Sequence, residues 1–401
     1  MKGSVVPDEG NQVKKTVKIK EDVLELSGKG LQNMNSLPKR HSICDLILDN
    51  NSITKIEKLD IFPKLTVLSM KSNRLVRMNG VNFGKNLVSV NLSNNGIVSM
   101  EGLCWLVHLE YLDLSKNNIK RIQNVSYCSK LKHMNLSENS ITNISNLKNL
   151  TELKVLLLHG NSITTLERAG ENLPEQIETL SFSGNGIADL NELCHLSCLF
   201  TLKNFSIQDN PCVMTTSSLP EFDFRPFVLS TLPSLLTLDD GDVTDDERKS
   251  AERLSQDENF SLFTFGYHLQ LVLYLSKVTP LNDTDEVNKD HIDILDEFLQ
   301  KRRTETDQKN TEITRNRADI KASDTLDSSS YSVREYSENT QNGSRDSYDE
   351  DTETDTLCSE SRFLPVYSPL KTSHEIDHHS KKMNIKHPCV KARDNKLLSY
   401  F

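Results

Sequence analysis

Eight asparagines recur at a nearly fixed interval, and that interval narrows the chain to one kind of architecture. Asn51, Asn73, Asn95, Asn117, Asn139, Asn161, Asn185 and Asn210 are separated by 22, 22, 22, 22, 22, 24 and 25 residues. Each sits in the same apolar frame. One copy reads Leu65, Leu68, Met70, Asn73, Leu75, Met78, and the next reads Leu87, Val90, Leu92, Asn95, Ile97, Met100.

A Leu-x-Leu step places both leucines on one side of a short strand, because side chains alternate along extended backbone. Stacked in parallel, such strands fill an interior with leucine. The asparagine stands where the backbone leaves the strand, and its amide is suited to bond the backbone groups of adjacent coils. A later apolar residue (Ile53, Leu75, Ile97) covers the core from the far side. No copy buries its apolar face alone, so neighbours share stability. The frame is the leucine-rich-repeat pattern. It predicts an α/β solenoid of 22-residue repeats with parallel strands on the concave face, a helical C-terminal cap and then a disordered tail.

The boundaries follow from where the frame holds. Residues 1–22 are polar and Lys-rich and read as a flexible segment, and 23–242 read as the solenoid with its end caps. Val23–Leu31 forms a degenerate opening copy, and Leu232, Leu235 and Leu238 restart the frame before Asp239-Asp240-Gly241 breaks it. Residues 243–281 read as capping helices: Thr244-x-x-Glu247 is a capping-box signal, and Phe260–Val278 is rich in Leu and aromatics. In 282–401 Ser, Thr, Asn and acids dominate, and Asp346–Glu360 holds seven acids and no Lys or Arg. Such a segment buries too little apolar surface to offset its ordering entropy. Within it, 290–303 predicts one short amphipathic helix presenting Ile292, Leu295, Phe298 and Leu299.

A net charge of −10 argues against nucleic acid or anionic membrane as bulk partners. No stretch is apolar enough for membrane insertion, and the N-terminus lacks a secretory core, so an intracellular chain with eight reduced cysteines is expected. Cys194, His195 and Cys198 lack a second ligand pair and read as repeat core, not a metal site. His374, His378, His379, His387 and Cys389 are a loose compositional cluster. Asp239–Asp242 lacks the rest of a calcium loop. Phosphate loops, nucleophile elbows and H-E-x-x-H are absent, so neither cofactor nor enzymatic activity is expected.

Binding is therefore sought on the strand face. There Tyr111, His133, Val155, Leu157 and His159 form a more apolar and aromatic strip than the coils on either side, the usual mark of a partner site. Arg225 and Phe227 at the cap are next in line. Ser368, in Ser-Pro-Leu-Lys, fits a proline-directed kinase site beside a basic stretch.

Residues not dictated by the repeat carry a further signal. Asn73-Arg74-Leu75-Val76-Arg77-Met78, Leu156-Leu157-Leu158-His159-Gly160-Asn161, Asn210-Pro211-Cys212-Val213-Met214 and Phe222-Asp223-Phe224-Arg225-Pro226-Phe227 resemble the 97-kilodalton centrosomal leucine-rich-repeat family, as does Gly266-x-His268-x-Gln270-Leu271-Val272-x-Tyr274-Leu275. The resemblance spans roughly residues 23–281. It implies a scaffold of the cytoskeleton at the centrosome and centriole. With a 110-kilodalton centriolar coiled-coil partner, such a protein caps the distal end of the mother centriole and restrains cilium assembly and centriole elongation. The family's calmodulin-binding I-Q-x-x-x-R-G-x-x-x-R pattern is not found here, so the resemblance does not carry calmodulin binding over. Two other classes stay open: a phosphatase-regulatory leucine-rich-repeat subunit, and an axonemal scaffold near dynein.

Overall fold

A computed structural model describes residues 19–20, 22–214, 220–280 and 289–326. The tail beyond 326, with Ser368, the histidine cluster and the acidic run, lies outside the described residues, as do residues 1–18. The described residues divide into two compact units at Glu305. The solenoid lies in the first.

Twelve short strands form one sheet in sequence order. They are β1 (Ile19–Lys20), β2 (Val23–Glu25), β3 (Asp45–Ile47), β4 (Val67–Ser69), β5 (Ser89–Asn91), β6 (Tyr111–Asp113), β7 (His133–Asn135), β8 (Val155–Leu157), β9 (Thr179–Ser181), β10 (Asn204–Ser206), β11 (Thr237–Leu238) and β12 (Gly241–Asp242). From β2 to β11 all pairings are parallel. The two outermost pairs, β1 with β2 and β11 with β12, are antiparallel and close the sheet at each end. The sheet thus opens at Ile19, within the segment expected to be flexible. The central residues Leu46, Leu68, Val90, Leu112, Met134, Leu156, Leu180, Phe205 and Leu238 face one another in register and are all buried.

The asparagines form the expected ladder in full. Asn117 is typical: its Oδ1 accepts from the Ile97 N–H at 2.9 Å, and its Nδ2 donates to Leu92 O at 3.1 Å and to Leu114 O at 2.9 Å. The first two groups belong to the preceding coil and the third to its own. Asn51 makes the same bonds to Leu31, Leu26 and Leu48, and Asn210 makes them to Ile187, Phe182 and Ile207. The residue before each ladder asparagine has positive φ. It is Asn50, Ser72, Asn94, Lys116, Glu138, Gly160, Gly184 or Asp209. That left-handed step turns the chain out of the strand and swings the asparagine inward. A second, shorter motif tightens the same turn in three coils, where Asn91, Asp113 and Asn135 accept from the N–H and hydroxyl of Ser93, Ser115 and Ser137.

On the opposite face successive turns pack closely. A Cβ on Gly80 would lie 2.1 Å from Ile56 O, so only glycine fits there, and φ is 104°. Where the spacing grows to 24 and 25 residues, the extra length forms α1 (Ala169–Asn172) and a seven-residue tight helix, Leu190–Leu196. Gly170 lets the first sit against the second, since a Cβ there would approach His195 O to 2.8 Å.

The cap comprises α2 (Arg225–Thr231), α3 (Asp245–Gln256), α4 (His268–Val278) and the first part of α5 (Lys289–Leu326). α3 opens with the anticipated capping box of Thr244 and Glu247. Two arginines bond carbonyls of the last coil: Arg225 donates to Leu238 O at 2.8 Å, and Arg248 to Leu235 O at 2.6 Å. α5 is much longer than the helix expected over 290–303. Leu295 is buried there, with Phe298 and Leu299 packed against the same core. Asp189 and His268 join cap to solenoid. Asp189 accepts from the Gly266 N–H at 2.7 Å, and His268 Nδ1 accepts from the Leu190 N–H at 3.3 Å.

Two predictions follow from these bonds. Asn117→Asp keeps an acceptor for Ile97 but sets a carboxylate oxygen against two buried carbonyls. We expect a loss of about 3 kcal/mol in urea unfolding, against little change for the exposed Asn118→Asp. His268, whose pKa burial lowers, must stay neutral to accept from Leu190. A native state that protonates less readily than the unfolded chain loses stability as pH falls through the unfolded pKa of about 6.5. The melting temperature should fall between about pH 7.5 and 5.5, and His268→Asn should flatten that slope; an unchanged slope would remove His268 from the joint.

Candidate functional site

The strand face carries the expected strip as one surface. Tyr111, His133 and Val155 occupy the same register position in β6, β7 and β8, and Leu157 stands one pleat further along β8. All four are half-buried, as is His159 just beyond. The Tyr111 and His133 rings stack at 4.7 Å with 17° between planes. Burial pushes the His133 pKa down and the Tyr111 pKa up, with the nearby Asp113 carboxylate opposing the first shift and adding to the second. Asp113 itself is committed to the Ser115 turn. The stacked pair is therefore a neutral, flat aromatic ledge.

Leu157 and His159 open onto a groove of about 580 Å³ that continues over β9, β10 and β11, where Ser181, Ser206, Asn204 and Thr237 line it. The strip is thus the apolar end of a longer trough whose other end is hydroxyl-rich. A charged rim that the sequence reading did not single out borders it at the strand entries. Lys132 pairs with Glu110 at 2.8 Å, and Glu178 is held between Lys154 at 2.7 Å and Lys203 at 2.9 Å. Those two lysine hydrogen bonds hold the Glu178 carboxyl down at about 2. The signal was present as opposite charges one repeat apart.

The cap pair stands apart from this surface, and the structure corrects its assignment. Phe227 is 2% exposed, and its ring meets Phe260 edge-on at 5.7 Å. Arg225 is paired with Glu247 and bonded to Leu238 O. Phe227 leaves no surface for a partner, and Arg225 is committed to the joint that holds the cap on the last coil.

Of the described cysteines, Cys128, Cys194 and Cys212 sit in the repeat core. Cys128 and Cys212 are buried, which pushes their thiols up to about 12. Cys194 is buried, Cys198 is half-buried beside Gly170, and His195 stacks on Phe265 at 4.6 Å. Among the described residues no helix is long and apolar enough to cross a membrane, and no three His, Cys, Asp or Glu side chains gather as a metal group would need.

The parallel ladder, the asparagine column and a match of residues 127–260 to the leucine-rich-repeat family model define a leucine-rich-repeat protein. Over part of its length the chain is similar to the centrosomal protein of 97 kDa. Over 139 residues, 35% of this chain, it is 42% identical to the human protein of that name and 38% identical to that of Xenopus laevis. The chain spans under a fifth of either relative's length, 16% and 17%. Among solved structures, the functional domain of InlJ from Listeria monocytogenes is 25% identical, with 54% of this chain and 48% of that one covered and a TM-score of 0.41.

If the aromatic ledge and Leu157 form a contact surface, truncating them affects binding and not folding. Tyr111→Ser with Leu157→Ser should leave the melting temperature within about 2 °C, as surface changes do. Pull-down of a centrosomal partner should drop by about tenfold or more, the scale of a lost aromatic anchor. Undiminished capture with an intact fold would move the site off this strip.

Proposed function

We propose that this chain is a non-enzymatic, protein-binding scaffold of the centrosome and centriole. The observation that carries the reading is the 42% and 38% identity to centrosomal proteins over 139 residues. Supporting it, the strand face offers an aromatic ledge, a polar trough and a charge-paired rim, the mix of apolar centre and polar border that protein partners use. In its finer form the proposal is that the chain contributes to the distal cap that restrains cilium assembly and centriole elongation. The partner on this reading is a 110-kilodalton coiled-coil protein that the solenoid helps to recruit.

A phosphatase-regulatory role is less well supported, because the strand face is mostly polar and its charges at the rim are already paired. An axonemal role is separated from the first by location. The tagged chain is to be imaged with a distal-centriole marker while the endogenous gene is depleted. Signal at the distal centriole, with extra cilia or elongated centrioles on depletion, is the expected outcome. Signal along the axoneme only, or diffuse signal, would overturn the centriolar reading.

A further inference from the structure

The turn face, opposite the strands, bears an exposed apolar row that the solenoid does not explain. Ten residues after the ladder asparagine, three successive coils place Phe83, Trp105 and Tyr127, which are 58%, 57% and 68% exposed. At that position the coil below carries Ile61, half-buried against the core, and the coil above carries Asn149, so the exposed rings occupy three coils. Val76, Val98 and Val107, each about half exposed or more, are further exposed apolar side chains of the same coils. The core-facing residues of the same turns, Val81, Leu103 and Val125, are fully buried, so the outward rings contribute nothing to the interior.

The surroundings of the row are basic in an acidic protein. Between Lys55 and Lys130 there are eleven Lys and Arg against five Asp and Glu, although the whole chain is at −10. Lys64, Lys85 and Lys130 lie two or three residues beyond the ring position in their turns, and Arg77, Lys120 and Arg121 six or seven residues before it. All six are exposed, and none of them takes part in an ion pair among the described residues. The strand face is different, since Lys132, Lys154 and Lys203 are paired there.

We propose that this row is a second docking surface, for an acidic amphipathic helix of a partner protein. Neighbouring turns are in direct contact, since a Cβ on Gly102 would lie 3.2 Å from Val81 Cγ1. The ring position therefore recurs once per coil along the stack. A helix laid along the stack has a pitch of about 5.4 Å. It would set one apolar side chain of an i, i+4, i+7 series against each coil, with carboxylates on its flanks facing the unpaired cations. Single-stranded nucleic acid would use the rings and the charges but not the exposed valines, which favour a helix face.

Trp105 is the only tryptophan in the chain, so its emission reports on this site alone. The full chain is to be titrated with a designed peptide carrying Leu at i, i+4 and i+7 and Glu on the flanks. A scrambled peptide of the same composition, oligo-uridine and phosphatidylserine vesicles serve as comparisons. Saturable blue-shifted emission with the helical peptide only, weakened by salt, is the expected result. Phe83→Ser with Tyr127→Ser, or Lys85→Glu with Lys130→Glu, should weaken it by about tenfold or more with melting unchanged. No response to the helical peptide, an equal response to the scrambled one, or a response to oligo-uridine or vesicles in its place would overturn the proposal.

Discussion

The solenoid depends on a buried amide. Stacking short strands with an irregular segment between each pair leaves backbone groups at every turn that neither sheet nor helix satisfies, and buried groups of that kind cost about 1–3 kcal/mol each if left alone. One asparagine per coil resolves this, accepting from one backbone N–H and donating to carbonyls of two coils. Aspartate lacks the donors, and glutamine carries the amide too far from the backbone. The leucine columns fill the interior, but the amides determine where each turn must begin.

The same constraint explains what was legible in the sequence. The fold could be read because packing demands repeat at a fixed interval: the columns of Leu68, Leu92 and Ile97 have no alternative but the core. The left-handed step before each ladder asparagine was only half visible. Asn50, Asn94, Gly160, Gly184 and Asp209 are residues that favour positive φ, while Ser72, Lys116 and Glu138 are not. The strip of Tyr111, His133, Val155 and Leu157 was legible because strand register follows from the repeat. Arg225 and Phe227 were misplaced because their surroundings come from α3 and from Phe260, distant in sequence and outside the periodic region. The row of Phe83, Trp105 and Tyr127 has the same interval as the core, but exposure does not follow from periodicity.

The two faces differ in how their charge is arranged. On the strand side lysines meet glutamates of neighbouring coils and are neutralised within the protein. On the turn side, cations collect around exposed rings without partners among the described residues. A scaffold with two such faces can hold one partner by an apolar and hydroxyl-lined trough and another by an aromatic row fringed with cations. Neither surface requires the solenoid to change shape, since both stand on side chains whose backbone the ladder already fixes.

The ladder also has a direction. Each asparagine reaches back to the coil before it, so the opening coil needs none of its own: Lys29 stands at that position, and Asn51 from the next coil bonds the Lys29 and Leu31 N–H groups. During synthesis, which proceeds at about 5–20 residues per second, each coil leaves the ribosome with its turn unsatisfied. It is latched when the following 22 residues emerge, roughly one to four seconds later. In the order of synthesis, the coil nearest the growing end is thus always the unlatched one. At the other end Arg225 of α2 and Arg248 of α3 bond carbonyls of the final coil that no further repeat covers.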